Sequence, residues 1–136
     1  MANAFYPKFN EALMDGAASN KDLSTGTVKV ALVDTGTYTY SSSHQFLSDL
    51  TGVVGTAQTL GSKTITNGTF DAADVTFTSV TGASVEALVL YIDTGAAGTS
   101  RLIAYIDTGV TGLPVTPNGG NINIAWNASG ILKYNG

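Results

Sequence analysis

Between Thr27 and Tyr134 the chain is cut into short apolar runs by turn residues, and this punctuation restricts its fold more than any other feature. Thr27–Val33 alternates, with Val28, Val30 and Leu32 on one face and Lys29 on the other, the period of a half-buried strand. Further strands are expected at Lys63–Thr66, Val75–Val80, Val85–Ile92, Arg101–Ile106, Asn121–Trp126 and Ile131–Tyr134, with a weaker one at Tyr38–Tyr40. Thr-Gly at 81–82 and 94–95, Pro-Asn-Gly-Gly at 117–120 and Asn-Ala-Ser-Gly at 127–130 mark the turns between them. About seven to nine short strands with no long helix among them point to an all-β domain, either a sandwich or a barrel.

One segment has a helical period. Phe5, Phe9 and Leu13 recur at i, i+4 and i+8, so a helix is expected over Phe5–Met14, with Pro7 in its first turn and Gly16 as its stop. Ser42–Leu50 is expected to form a second, shorter helix with Phe46, Leu47 and Leu50 inward. No linker interrupts the pattern, so the 136 residues read as a single domain, with the helix at 5–14 and the β part at 27–134.

Composition narrows the function. Charged residues make up 12% of the chain, against roughly 25% in typical soluble domains. Thr, Ser, Asn, Gly and Ala must therefore cover much of the surface, which costs little to desolvate against a protein neighbour. The net charge is -4, and the six basic residues, Lys8, Lys21, Lys29, Lys63, Arg101 and Lys133, are scattered, which argues against a nucleic-acid partner. There is no cysteine, and neither a secretion signal nor an apolar stretch of about 20 residues is visible, so no membrane association is expected.

Several residue groups invite a catalytic reading. Asp-Thr-Gly occurs at 34–36, 93–95 and 107–109, and aspartic proteases carry that tripeptide after an apolar strand. Their chemistry needs two carboxylates sharing one proton, supplied by two lobes or two subunits. Three copies at strand ends fit turn chemistry better, with Asp accepting amide protons and Gly free to take positive φ. His44 is the single histidine, and its neighbours Ser41, Ser42 and Ser43 do not make a triad, whose members come from distant segments. Asp71 and Asp74 lack the spacing of a calcium loop and are expected to cap backbone amides. Asn67-Gly68-Thr69 and Asn127-Ala128-Ser129 match glycosylation acceptors only formally. In Asn121–Trp126, Ile122, Ile124 and Trp126 share one face, which makes Trp126 a core residue rather than a sugar-stacking platform. No catalytic residue, metal site or cofactor is expected.

Several blocks of the chain are also familiar in their order. They are Phe5-Tyr6-Pro7-Lys8-Phe9, Asp22-Leu23, Val28–Val33, His44–Leu50, Phe70–Phe77, Tyr91–Gly95, Leu102–Asp107 and Ile124–Leu132. Together they resemble small virion structural proteins of tailed bacteriophages, in particular the head decoration or cement proteins. Gly109-Val110 departs from the family, where a Phe-Gly often ends that strand. The resemblance implies a jelly-roll-like β-sandwich with a short N-terminal helix. It further implies a protein made in the host cytoplasm that sits as a dimer or trimer on the outer surface of the head, binding the major capsid protein. A tail or connector component, or a glycan-binding sandwich module, is the alternative reading. Candidate contact residues are Phe5, Tyr6 and Phe9 of the helix and Tyr38 and Tyr40 of the following segment, compact aromatics of the kind that dominate interfaces. The competing role for Phe5 and Phe9 is to plug the end of the fold.

Overall fold

A computed structural model of the chain describes residues 3–133. In chain order the elements are β1 (Ala4–Phe5), α1 (Pro7–Met14), β2 (Thr27–Val33), β3 (Val53–Thr59), β4 (Thr64–Thr66) and β5 (Thr69–Asp71). They continue with β6 (Val75–Phe77), β7 (Ala87–Asp93), β8 (Arg101–Ile106), β9 (Ile122–Ile124) and β10 (Leu132–Lys133). A 3-10 turn covers Leu47–Asp49.

The strands do not form two facing sheets. They divide into a five-stranded sheet in the order β1-β8-β7-β2-β3, a three-stranded sheet β10-β5-β4 and a two-stranded sheet β6-β9. All pairs are antiparallel. The expected all-β jelly-roll sandwich is therefore corrected: the described residues form a mixed α/β fold of three open, unclosed sheets and a single short helix. The reason is visible along the strands. A sandwich strand buries one face and alternates, but the six residues Ala87–Ile92 of β7 are all buried, as are Leu102–Ile106 of β8 and Val30–Val33 of β2. A continuous apolar run means that both faces of the strand are covered. The other segments of the chain cover the five-stranded sheet on both sides, and its central strands are the core. Between β3 and β7 the strands are three residues long, too short to build an equal second sheet.

Other expectations change in detail. The N-terminal helix starts at Pro7, since Phe5 pairs with Ala104 as part of β1. Proline suits the first helical position because its missing N–H is one that a helix leaves unbonded there. Only the 3-10 turn forms within 42–50. Gln45–Leu47 is instead held extended against the start of β8: Phe46 bridges Arg101, the Leu47 N–H donates to the Ser100 carbonyl (2.8 Å) and the Leu102 N–H to the Gln45 carbonyl (3.0 Å). The Asp49 carboxylate, which accepts the N–H groups of Gln45 (2.8 Å) and Phe46 (3.1 Å), therefore caps only a single turn. Tyr38–Tyr40 is loop, and Val53–Thr59, which carries no alternating apolar pattern, is the edge strand β3. Of Ile131–Tyr134, Leu132 and Lys133 are β10, and Tyr134 lies outside the described residues.

Candidate functional site

The five candidate contact residues converge on one corner of the molecule. The backbone N–H of Tyr6 donates to the Ile103 carbonyl of β8 (3.0 Å), and the Tyr6 carbonyl accepts the N–H groups of Phe9 and Asn10, starting α1. This turn sends the Tyr6 ring inward and leaves Phe5 and Phe9 on the side of the three-stranded sheet. Tyr6, Phe9 and Tyr38 are buried within the chain, and Phe5 and Tyr40 are half-buried.

Tyrosines build the inner half of this corner. The Tyr6 ring lies 5.0 Å from that of Tyr40, which meets Tyr105 of β8 edge-on at 5.7 Å. The Tyr6 and Tyr38 hydroxyls are 2.7 Å apart, and the Tyr38 hydroxyl is 2.7 Å from His44 Nδ1. The Tyr40 hydroxyl donates to the Phe5 carbonyl (3.0 Å). The single histidine is thus the outer end of a hydrogen-bonded chain leading into the core, and it ties the 38–44 loop to the N-terminal segment. Because Tyr38 links two partners, the two tyrosine-to-phenylalanine changes should differ. Tyr38→Phe strands the fully buried Tyr6 hydroxyl and is expected to cost about 1–3 kcal/mol, whereas Tyr6→Phe leaves Tyr38 bonded to His44 and should cost about 1 kcal/mol. Urea unfolding of both variants measures the difference; equal losses would mean that the Tyr6 hydroxyl is satisfied elsewhere.

Burial also raises the phenol pKa values of Tyr6, Tyr38, Tyr40, Tyr91 and Tyr105 above the ordinary value, by penalising the phenolate. For Tyr6 the hydroxyl of Tyr38 adds to the effect. A folded-state pKa above the unfolded one contributes stability that is complete below about pH 10 and is lost as pH rises through the folded values. The fold is expected to weaken progressively above about pH 10, with these tyrosines ionising in step with unfolding. Parallel ultraviolet and circular dichroism titrations check this. Full tyrosinate absorbance while the fold is intact would contradict it.

The outer half of the corner is an apolar groove of 130 Å³. Phe5, Phe9 and Leu13 line it from the N-terminal segment, Leu23 from the next loop, and Ile65, Phe70 and Leu132 from the three-stranded sheet. The last three form one cross-strand row, because Leu132 pairs with Phe70 and Phe70 with Ile65. The row ends at the open edge of the sheet on Ile65, which remains 53% exposed. A volume near 150 Å³ walled by aliphatic and aromatic groups can take a benzene-sized group, so the groove is sized for one apolar side chain.

Ile65, Phe70 and Leu132 were not among the candidate contact residues read from the sequence. A signal for them exists in Asn67-Gly68, the strongest short hairpin dipeptide. Both residues have positive φ, +52° and +78°, which makes the primed two-residue turn joining β4 to β5.

The remaining candidate groups are engaged in local structure. Asp34 accepts the N–H of Gly36 (2.9 Å) and Asp93 that of Gly95 (3.1 Å), as turn aspartates do, and Asp93 also pairs with Lys29 at 3.4 Å. The third copy is arranged differently, with Asn3 Oδ1 accepting the N–H groups of Asp107 and Thr108. Asp71 accepts the N–H of Ala72 and Asp74 that of Trp126. Asp22 receives both N–H and hydroxyl protons from Ser24 and Thr25, and these bonds, the hydroxyl of Thr25 first, hold its carboxyl well below the usual carboxylate range. Among the described residues, no three or more His, Cys, Asp and Glu side chains group as metal ligands would. No family model and no curated protein sequence matches the chain.

Proposed function

We propose that this chain is a non-enzymatic structural protein of a phage virion, a decoration or cement protein that binds the assembled head and holds neighbouring major capsid subunits together. The observation that carries the reading is the ordered series of sequence blocks resembling that family, running from Phe5 to Leu132. The surface is compatible with it. Charged residues are few, and the apolar row ending on Ile65 lies open beside a groove with room for a side chain. Cementing needs no reactive group. A protein that binds the closed shell and not its separated subunits shifts assembly toward the shell by mass action, and weak contacts sum over many copies.

The test is cosedimentation of the purified protein with phage heads that lack it, with bound copies counted per head. Saturable binding at a number set by the symmetry axes of the shell is the expected result. No binding to heads, with the protein recovered in tails or absent from particles, would overturn the reading.

A further inference from the structure

We infer that two copies of this chain pair edge to edge through β4, with Ile65 at the two-fold axis. The inference goes beyond the cement reading and does not depend on it. In the β4–β5 hairpin the two-residue turn makes Thr66 and Thr69 a hydrogen-bonded pair, and alternation then makes Ile65 and Phe70 a non-hydrogen-bonded one. The N–H and C=O of Ile65 consequently point away from β5, toward the open edge. An antiparallel pair centred on Ile65 of two copies exchanges these two groups as two hydrogen bonds, so the edge is complementary to itself, as a two-fold interface requires.

The surroundings favour a copy over a different occupant. In such a pair the segment meets its own sequence in reverse, and a charged edge would therefore repel itself. Residues 64–69, Thr-Ile-Thr-Asn-Gly-Thr, carry no charge. The one charged neighbour, Lys63, directs its Nζ to the Gly26 carbonyl. The edge also lacks the charge and proline with which proteins usually block strand addition. All three residues of β4 are exposed, which is true of no other strand among the described residues. Residues opposite each other in a sheet share a face, so Ile65 of the second copy would extend the row Leu132–Phe70–Ile65 and close the open end of the groove.

Sedimentation of the free protein across a range of concentration, without heads, reads the pairing directly. The average mass should rise toward twice the 13.9 kDa of one chain, and the Ile65 amide should become protected from hydrogen exchange as it does. Ile65→Pro removes the outward N–H and should abolish both signals. Ile65→Lys, which keeps the backbone, should place like charges across the axis and do the same if the proline variant fails to fold. A monomer at every concentration, or a dimer that persists in the lysine variant, overturns the inference. So does an Ile65 amide that becomes protected only when heads are added, since another protein would then supply the strand.

Discussion

Phe9→Ala is expected to lower the stability of the fold by about 3–5 kcal/mol, the range for emptying a buried aromatic site. Phe9 is 1% exposed and is one of only two buried residues of α1, the other being Ala12. An eight-residue helix does not persist in water through its own hydrogen bonds and depends on tertiary packing. Lys8 and Glu11, paired at 3.2 Å on its exposed side, add only tenths of a kcal/mol. Truncating Phe9 would enlarge the 130 Å³ groove that its ring already borders, and would loosen the turn that carries Tyr6 into the core. Chemical denaturation followed by circular dichroism measures the loss. An unchanged midpoint, combined with lost binding to a partner, would instead make Phe9 a contact residue and reverse the assignment to packing.

The second large effect concerns Trp126, the only tryptophan of the chain. Its side chain belongs to the core cluster, and its Nε1–H donates to the Ala73 carbonyl (3.0 Å) while its backbone N–H donates to Asp74 (3.0 Å). The ring therefore clamps the 71–74 turn onto the segment after β9. Trp126→Ala should cost about 3–5 kcal/mol, through the emptied volume and the carbonyl left without its donor. Trp126→Phe keeps part of the ring volume and loses the hydrogen bond, so it should cost distinctly less. A tryptophan serving as a sugar platform would stand on the surface, and its removal would hardly move the unfolding midpoint. Guanidinium unfolding of the two variants distinguishes the cases, read by circular dichroism because the fluorescent reporter is itself removed.

These two residues also mark how far sequence reasoning reached. The period of Ile122, Ile124 and Trp126 placed Trp126 inside, and the structure has it there, because alternation along a strand is a local steric property. The boundaries of β2 and β8 were legible from the change between apolar runs and turn residues, and the end of α1 at Met14 from its helical period and the following Gly16. Turn aspartates could be read because their partners lie two or three residues away, as in Asp34 with Gly36. Reading Phe5 as helical failed because its backbone pairs with Ala104, about a hundred residues along the chain, a contact that no local period announces. In the corner of candidate residues, the aromatic residues were legible as candidates, although Tyr38–Tyr40, expected as a weak strand, is loop. Their contact was not, since Tyr6 and Tyr38 meet through a loop whose path depends on what it packs against.

What the sequence determined by itself is most of the later strands, the helix ending at Met14 and a composition poor in charge. Local sterics, turn chemistry and composition act within a few residues, so they can be read without knowing the fold. Which strands pair was decided only by the tertiary structure. Thr69–Asp71 is a strand because β4 and β10 flank it, and the unpatterned Val53–Thr59 is one because β2 offers it an edge. The continuous apolar runs of β7 and β8 required cover on both faces, a demand that three open sheets with intervening loops meet. Pairing and cover are settled by the burial of the whole chain at once, and that free energy has no local signature.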